Sequence, residues 1–244
     1  MLTLFINNTN NAISAHLRYL LTIFTMVDAA CRIAGKEEIC IFAGRHYGRV
    51  RFSRAGPEHN LAAGPTLLST GWNTLPKMGF GTVDTIVPVP GHENQLYVFF
   101  GGRYAKIKLE NYDDSFVNDA AYPITSGWKS LAQAGFDTVD AAMLTPGTKH
   151  EMYFFRGLNY VQVDISTDKI VKKVAPIAEG WPSLVQAGLD CVDAIVPTPT
   201  GQDLYYVFRG DQFAVIKVDS SRRDTLVSPP KAISSAWQGL EKWV

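Results

Sequence analysis

The sequence predicts an all-β fold, a β-propeller of four blades. Three observations predict it: a unit repeated four times, several short strands in each unit, and markers that return in step. The four segments that open the repeats begin with Val-Asp: "VDAACRIAGKEEICIFAGRHYGRVRF" from Val27, "VDTIVPVPGHENQLYVFFGGRYAKIKL" from Val83, "VDAAMLTPGTKHEMYFFRGLNYVQVDI" from Val139 and "VDAIVPTPTGQDLYYVFRGDQFAVIKV" from Val192. Their aspartates, Asp28, Asp84, Asp140 and Asp193, lie 56, 56 and 53 residues apart. A tryptophan keeps the same step: Trp72, Trp128, Trp181 and Trp237, in "GWNTL", "GWKSL", "GWPSL" and "AWQGL". In the last three copies a glycine follows the aspartate by 17 residues, at Gly101, Gly157 and Gly210, and in the first copy Gly44 comes one residue earlier.

The unit reads in order as follows. The stretch from Asp28 to Ile33, with its equivalents, is a short first strand. A loop carrying Gly, Pro or charge leads to an aromatic second strand, "EICIFA", "LYVFF", "EMYFF" or "LYYVF". The marker glycine then makes a tight turn, because glycine alone takes positive φ without strain. The third strand alternates apolar and polar residues, as in "YAKIKL", "YVQVDI" and "FAVIKV", the period of a half-buried strand. A weaker fourth strand fits "KIVKKV" near Lys169 to Val174, and the "GWxxL" segment reads as a short helix with Trp and Leu on one face. A single such sheet cannot bury both faces, whereas sheets stacked around an axis can. The reading places an N-terminal extension at 1–26 and blades at approximately 27–82, 83–138, 139–191 and 192–244.

Composition agrees with a folded chain and narrows its partners. Hydrophobic residues make up 46% of the 244, enough for a sizeable core. Lys plus Arg equals Asp plus Glu, 23 each, a balance that argues against nucleic acid as the main partner, since phosphate binding needs a basic face, and leaves room for a local basic patch. The most apolar run, Leu17 to Val27, is about half of a membrane span, and the start "MLTLFINNTNN" lacks a basic region before it. Neither a membrane segment nor a classical export signal is therefore expected. Asn7-Asn8-Thr9 is a glycosylation sequon only if the protein is secreted. Three cysteines, Cys31, Cys40 and Cys191, do not make a disulfide framework; they read as thiols, with a local Cys31–Cys40 bridge across a hairpin as the alternative.

These markers resemble hemopexin-type repeats, in which Asp-Ala-Ala opens a blade, an aromatic strand and F-x-G-x-x-Y follow, and a Trp closes it. The matching pieces are Asp28-Ala29-Ala30 and Asp140-Ala141-Ala142, the variants "DTI" and "DAI", and the turns "FAGRHY", "FFGGRY", "FRGLNY" and "FRGDQF". The resemblance runs from Val27 to the C-terminus. The first-to-last-blade disulfide of vertebrate members has no counterpart, since residues 192–244 hold no cysteine. Blade one also carries Cys40 where the others have Tyr97, Tyr153 and Tyr206. Residues 1–26 match nothing in the family and are expected to cover the join of blades one and four. The chain looks closer to the compact single-propeller members, such as the legume seed albumins, and this resemblance implies a cytoplasmic or seed or fruiting-body storage protein.

The candidate site is the axis. Equivalent residues of four first strands sit at one height, so four carbonyls can ring a hard cation such as calcium or sodium, and nearby amides can hold chloride. The resemblance implies carbonyls of Asp28, Asp84, Asp140 and Asp193 as metal ligands, with a second ring at Ala30, Ile86, Ala142 and Ile195. The competing reading has the aspartate side chains bracing strand ends. Tyr97, Phe99, Tyr153, Phe155, Tyr206 and Phe208 read as core between blades, not as a ligand platform. His92 and His150 sit in loops within reach of a haem iron, but read better as solvated; Arg45, Arg103, Arg156 and Arg209 beside the turn glycines read as surface charge. No nucleophile motif, zinc spacing or Gly-rich phosphate loop is present, so the chain reads as non-enzymatic. The expected function is lectin-like binding of a glycan or small ligand, with a homodimer as one assembly. The alternatives are haem or a polyamine at the tunnel mouth, or a protein-docking module.

Overall fold

A computed structural model describes residues 26–52, 59–199 and 203–240. The expectations for the N-terminal arm and the sequon fall outside the described residues. Four antiparallel sheets follow one another along the chain. Blade one holds β1 (Ala29–Arg32), β2 (Glu38–Ala43), β3 (His46–Phe52) and β4 (His59–Leu67). Blade two holds β5 (Thr85–Val89), β6 (His92–Phe100), β7 (Arg103–Glu110) and β8 (Asp113–Phe116), with β9 (Tyr122–Pro123) also paired to β7. Blade three holds β10 (Ala141–Leu144), β11 (Glu151–Arg156), β12 (Asn159–Asp164) and β13 (Lys169–Pro176). Blade four holds β14 (Ala194–Pro197), β15 (Leu204–Arg209), β16 (Gln212–Val218) and β17 (Asp224–Ala232). The marker glycines sit in the turn between second and third strands, with φ of 53° at Gly44, 54° at Gly101, 53° at Gly157 and 60° at Gly210. That conformation is the reason for the repeated glycine.

First strands of neighbouring blades touch in a closed cycle: β1 with β5, β5 with β10, β10 with β14, and β14 with β1. The hydrophobic residues accordingly gather into four cores, one per junction between blades. Phe42 and Trp72 meet Ile86 and Val98 between blades one and two, and Phe99 and Trp128 meet Met152 and Phe154 between two and three. Phe155 and Trp181 meet Tyr205 and Val207 between three and four, and Phe208 and Trp237 meet Ile39 and Phe52 between four and one. Phe99, Phe155 and Phe208 are fully buried, and each such ring contributes about 1.5–3 kcal/mol of burial free energy. The recurrent aromatics are glue between blades, as expected.

The helical segment differs from its predicted form. In blades one to three a helical turn (Leu68–Gly71, Ile124–Gly127, Ile177–Gly180) ends at the marker tryptophan, whose backbone leaves helical values before a second turn begins. The chain turns at each Trp so that the indole enters the junction core. In the last copy the expected helix is absent: Trp237 lies in β18 (Trp237–Gln238), which pairs parallel with β4. Its indole enters the core between blades four and one, and the segment joins the outer edge of blade one.

Polar staples reinforce the junctions. Aspartates of blades two to four accept backbone N–H groups from the segment after the preceding blade's tryptophan. Asp114 takes Asn73 and Thr74, each at 2.7 Å; Asp168 takes Lys129 at 2.7 Å and Ser130 at 3.1 Å; Asp224 takes Ser183 at 2.7 Å. The arginines beside the turn glycines also reach back across the junction. Arg103 donates to the Met78 carbonyl at 2.7 Å, Arg156 to the Gly135 carbonyl, and Arg209 lies 3.8 Å from the Asp190 carboxylate. Three of the four arginines expected as plain surface charge therefore tie blades together.

Candidate functional site at the propeller axis

Each first strand is the edge of its sheet, with one hydrogen-bonded neighbour. Its two faces supply the cores on either side: Ala29 and Cys31 point to the blade one–two core, Ala30 to the blade four–one core. What the strand presents to the axis is therefore bare backbone edge. The ladder fixes which groups. Ile33 N–H donates to Glu38 at 3.1 Å, Thr145 N–H to Glu151 at 2.9 Å, and Thr198 N–H to Leu204 at 2.8 Å. Residues two and four positions back share that inward phase, and the alternate ones, Ala30, Ala142 and Ile195, turn N–H and C=O to the open edge. Ile86 holds the equivalent register in blade two, opposite Val98. All four second-ring residues are buried, at 2–6% exposure, each in a different junction core.

The aspartates brace the blades by their side chains, as the competing reading proposed. Asp28 accepts the Gly44 N–H at 2.6 Å, Asp84 that of Gly101 at 2.6 Å, Asp140 that of Gly157 at 2.7 Å, and Asp193 that of Gly210 at 2.7 Å. Each aspartate N–H in turn donates to the carbonyl of Phe42, Phe99, Phe155 or Phe208 at 2.9 Å. The Asp and Gly markers keep their spacing because they are bonded to each other. This commits one carboxylate oxygen per aspartate to the blade itself and weakens the idea of a carboxylate ring for polyamine amines. No three His, Cys, Asp or Glu side chains gather into a metal-binding group among the described residues. A hard cation at the axis would have backbone carbonyls as its ligands, the donor type it accepts.

The remaining candidates are dispersed. His92 and His150 are exposed, and His46 is exposed at the start of β3. His59 alone among the described histidines is buried: its Nε2 lies 3.0 Å from the Tyr206 hydroxyl, and burial lowers its pKa to about 4. Cys31 and Cys40 stand opposite each other on β1 and β2 as buried free thiols. A hydrogen bond with Cys40, and then burial, push the Cys31 thiol pKa up. Sequence reasoning missed the capping set Asp114, Asp168 and Asp224. The only available signal was an acid 28–31 residues after each of Asp84, Asp140 and Asp193, in a loop of varying length.

No family model matches the chain. Among curated proteins it is 22% identical to "Albumin-2" of Lathyrus sativus over 227 residues, 88% of this chain and 96% of the relative. Among solved structures it superposes on a plant lectin with two metal binding sites from Cicer arietinum with a TM-score of 0.80, at 21% identity, covering 89% of this chain and 98% of that one. It superposes on hemopexin fold protein CP4 from cow pea with a TM-score of 0.79, at 23% identity, covering 89% and 97%. The bare inner edges, the Asp–Gly clamps and these superpositions converge: the chain has the hemopexin fold, built as one four-bladed propeller like those of the legume seed albumins.

Proposed function

We propose that the protein is a non-enzymatic, lectin-like binding protein of the seed-albumin kind, taking a carbohydrate or small ligand on a propeller whose axis holds calcium or sodium. The observation that carries the axial part is the fourfold ring of open backbone edges at Ala30, Ile86, Ala142 and Ile195, with Asp28, Asp84, Asp140 and Asp193 two residues earlier in the chain. Carbonyls in such a ring replace the hydration shell of a hard cation, and the amides of the same edges suit chloride. Support for the ligand part comes from a solved neighbour that is called a lectin and carries two metal sites, and from a curated relative that is an albumin.

The test has two arms. Purified protein is screened on a glycan array and for haemagglutination, and is unfolded thermally before and after chelation with calcium or sodium restored. Saturable glycan binding and a melting temperature that falls on chelation and returns with the cation are expected. Absence of glycan binding together with a Soret band on haemin titration would replace this reading with haem binding at the tunnel mouth. An unchanged melting temperature with no bound cation in elemental analysis sinks the axial site.

A further inference from the structure

The four junctions are not equally filled. Between blades three and four lies a cavity of about 300 Å³, floored by Tyr153, Tyr160 and Trp181 and rimmed by Lys172, Arg222 and Asp224. That volume is at the low end for small-ligand pockets, roughly 300–1,000 Å³. The equivalent space between blades one and two is about 140 Å³. Both tyrosine rings stand edge-on to the indole: Tyr153 and Trp181 are 5.0 Å apart at 76°, and Tyr160 and Trp181 are 5.8 Å apart at 84°. Such a floor is rigid, and it ends in polar atoms.

Two side-chain atoms of that floor are buried without a hydrogen-bond partner: the Trp181 indole N–H, a state shared with Trp72, Trp128 and Trp237, and the Tyr160 hydroxyl, which is the one tyrosine hydroxyl in that state among the described residues. A buried donor without a partner costs about 1–3 kcal/mol, a cost that a bound acceptor removes. In blade one the equivalent hydroxyl, on Tyr47, donates to the Gly71 carbonyl at 3.2 Å; in blade three it does not. The rim adds further donors. The Lys172 ammonium lies 5.0 Å from the centre of the Tyr160 ring, and Arg222 is held at the mouth by Glu151 at 3.2 Å. The one acid in the lining, Asp224, already accepts the Ser183 N–H at 2.7 Å. The rim and mouth thus carry two cations, Lys172 and Arg222, beside two acids, Asp224 and Glu151, each of which already accepts a hydrogen bond.

We propose that this cavity is the ligand site of the lectin-like reading above, on which the proposal rests, and that it takes an acidic sugar, in simplest form a hexuronic acid. Its carboxylate meets Lys172 and Arg222, and its ring oxygens accept from Trp181 and Tyr160. Paired cations recognise a carboxylate more strongly than a neutral hydroxyl.

The test follows the Trp181 indole N–H resonance, assigned with Trp181→Phe, while glucuronate, glucose and acetate are titrated separately into the full chain. Saturable movement with glucuronate, at least about tenfold tighter than with glucose or acetate, is expected. The double variant K172Q/R222Q, at unchanged melting temperature, should lose at least that factor. No movement with glucuronate overturns the site. Equal movement with acetate overturns sugar recognition, and equal movement with glucose overturns the role of the two cations. If K172Q/R222Q binds array glycans as the wild type does, the pocket falls and the lectin reading stands. If the wild type binds no array glycan while glucuronate still moves Trp181, the lectin reading falls and the pocket stands.

Discussion

The junction between blades three and four and the junction between blades four and one use the same structural positions and end in opposite states. At the first, Tyr153, Tyr160 and Trp181 surround an open cavity, with Gly180 before the tryptophan. At the second, the matching residues are Tyr206, Phe213, Trp237 and Ala236, and blade one adds Phe52 and His59. Phe52 stacks on Tyr206 with ring centres 6.1 Å apart, and His59 lies 4.3 Å from Trp237. Trp237 is fully buried. The closing junction is a packed seam because it also holds the ring shut through β18 on β4. The propeller frame sets where the junctions fall, and a few side chains decide which become sites.

The largest expected effect breaks the seam. Trp237→Ala removes a fully buried indole and the anchor of β18, and should cost about 3–5 kcal/mol in equilibrium urea unfolding. Trp181→Ala should fall at the lower end of that range, since its ring already borders a cavity. If Trp181→Ala costs as much as Trp237→Ala or more, the contrast between a seam and a pocket is wrong.

A subtler contrast concerns the residue before each tryptophan. A Cβ added at Gly71, Gly127 or Gly180 would collide with the hydroxyl of Tyr47, Tyr104 or Tyr160 respectively. The fourth copy has Ala236 and, in place of the tyrosine, Phe213. The phenol oxygen occupies the space the methyl would need, so Gly goes with Tyr and Ala with Phe. Gly180→Ala should cost about 1–3 kcal/mol by overpacking. Adding Tyr160→Phe should restore much of that loss, a coupling that a double-mutant cycle measures. Additive losses would show that the two positions do not share this space.

The same pairs show how much of the molecule was legible in the sequence. The four blades were, because each repeat marker has a local physical task. Asp and Gly clamp one another, Gly makes the positive-φ turn, and the aromatic strand fills a junction. The pocket was not legible. Its residues run from Tyr153 to Asp224 in two blades, and no short motif joins them. The capping aspartates were hidden for the same reason, since each serves the segment after the preceding blade's tryptophan. The closing strand was misread as a helix because its "AWQGL" copies the repeat grammar while its partner, β4, lies over 170 residues earlier.

The smallest effect separates the two junctions by pH. Burial holds the His59 pKa at about 4 instead of the usual 6.5, so in the folded seam the ring is neutral. The unfolded chain takes up a proton on this ring below about pH 6.5, and the folded one only near pH 4. His59 therefore contributes its full stabilisation above pH 6.5, and that contribution declines as pH falls to 4. The loss should amount to about 1 kcal/mol, allowing for water reaching the sheet edge. It should be seen as a greater fall in urea-unfolding free energy between pH 7 and 4.5 for the wild type than for His59→Gln. The pocket junction has no histidine in its lining, so K172Q/R222Q should keep the wild-type pH slope. An equal slope in His59→Gln would mean that the seam does not exclude the protonated ring, and that the two junctions are more alike in dielectric than their packing indicates.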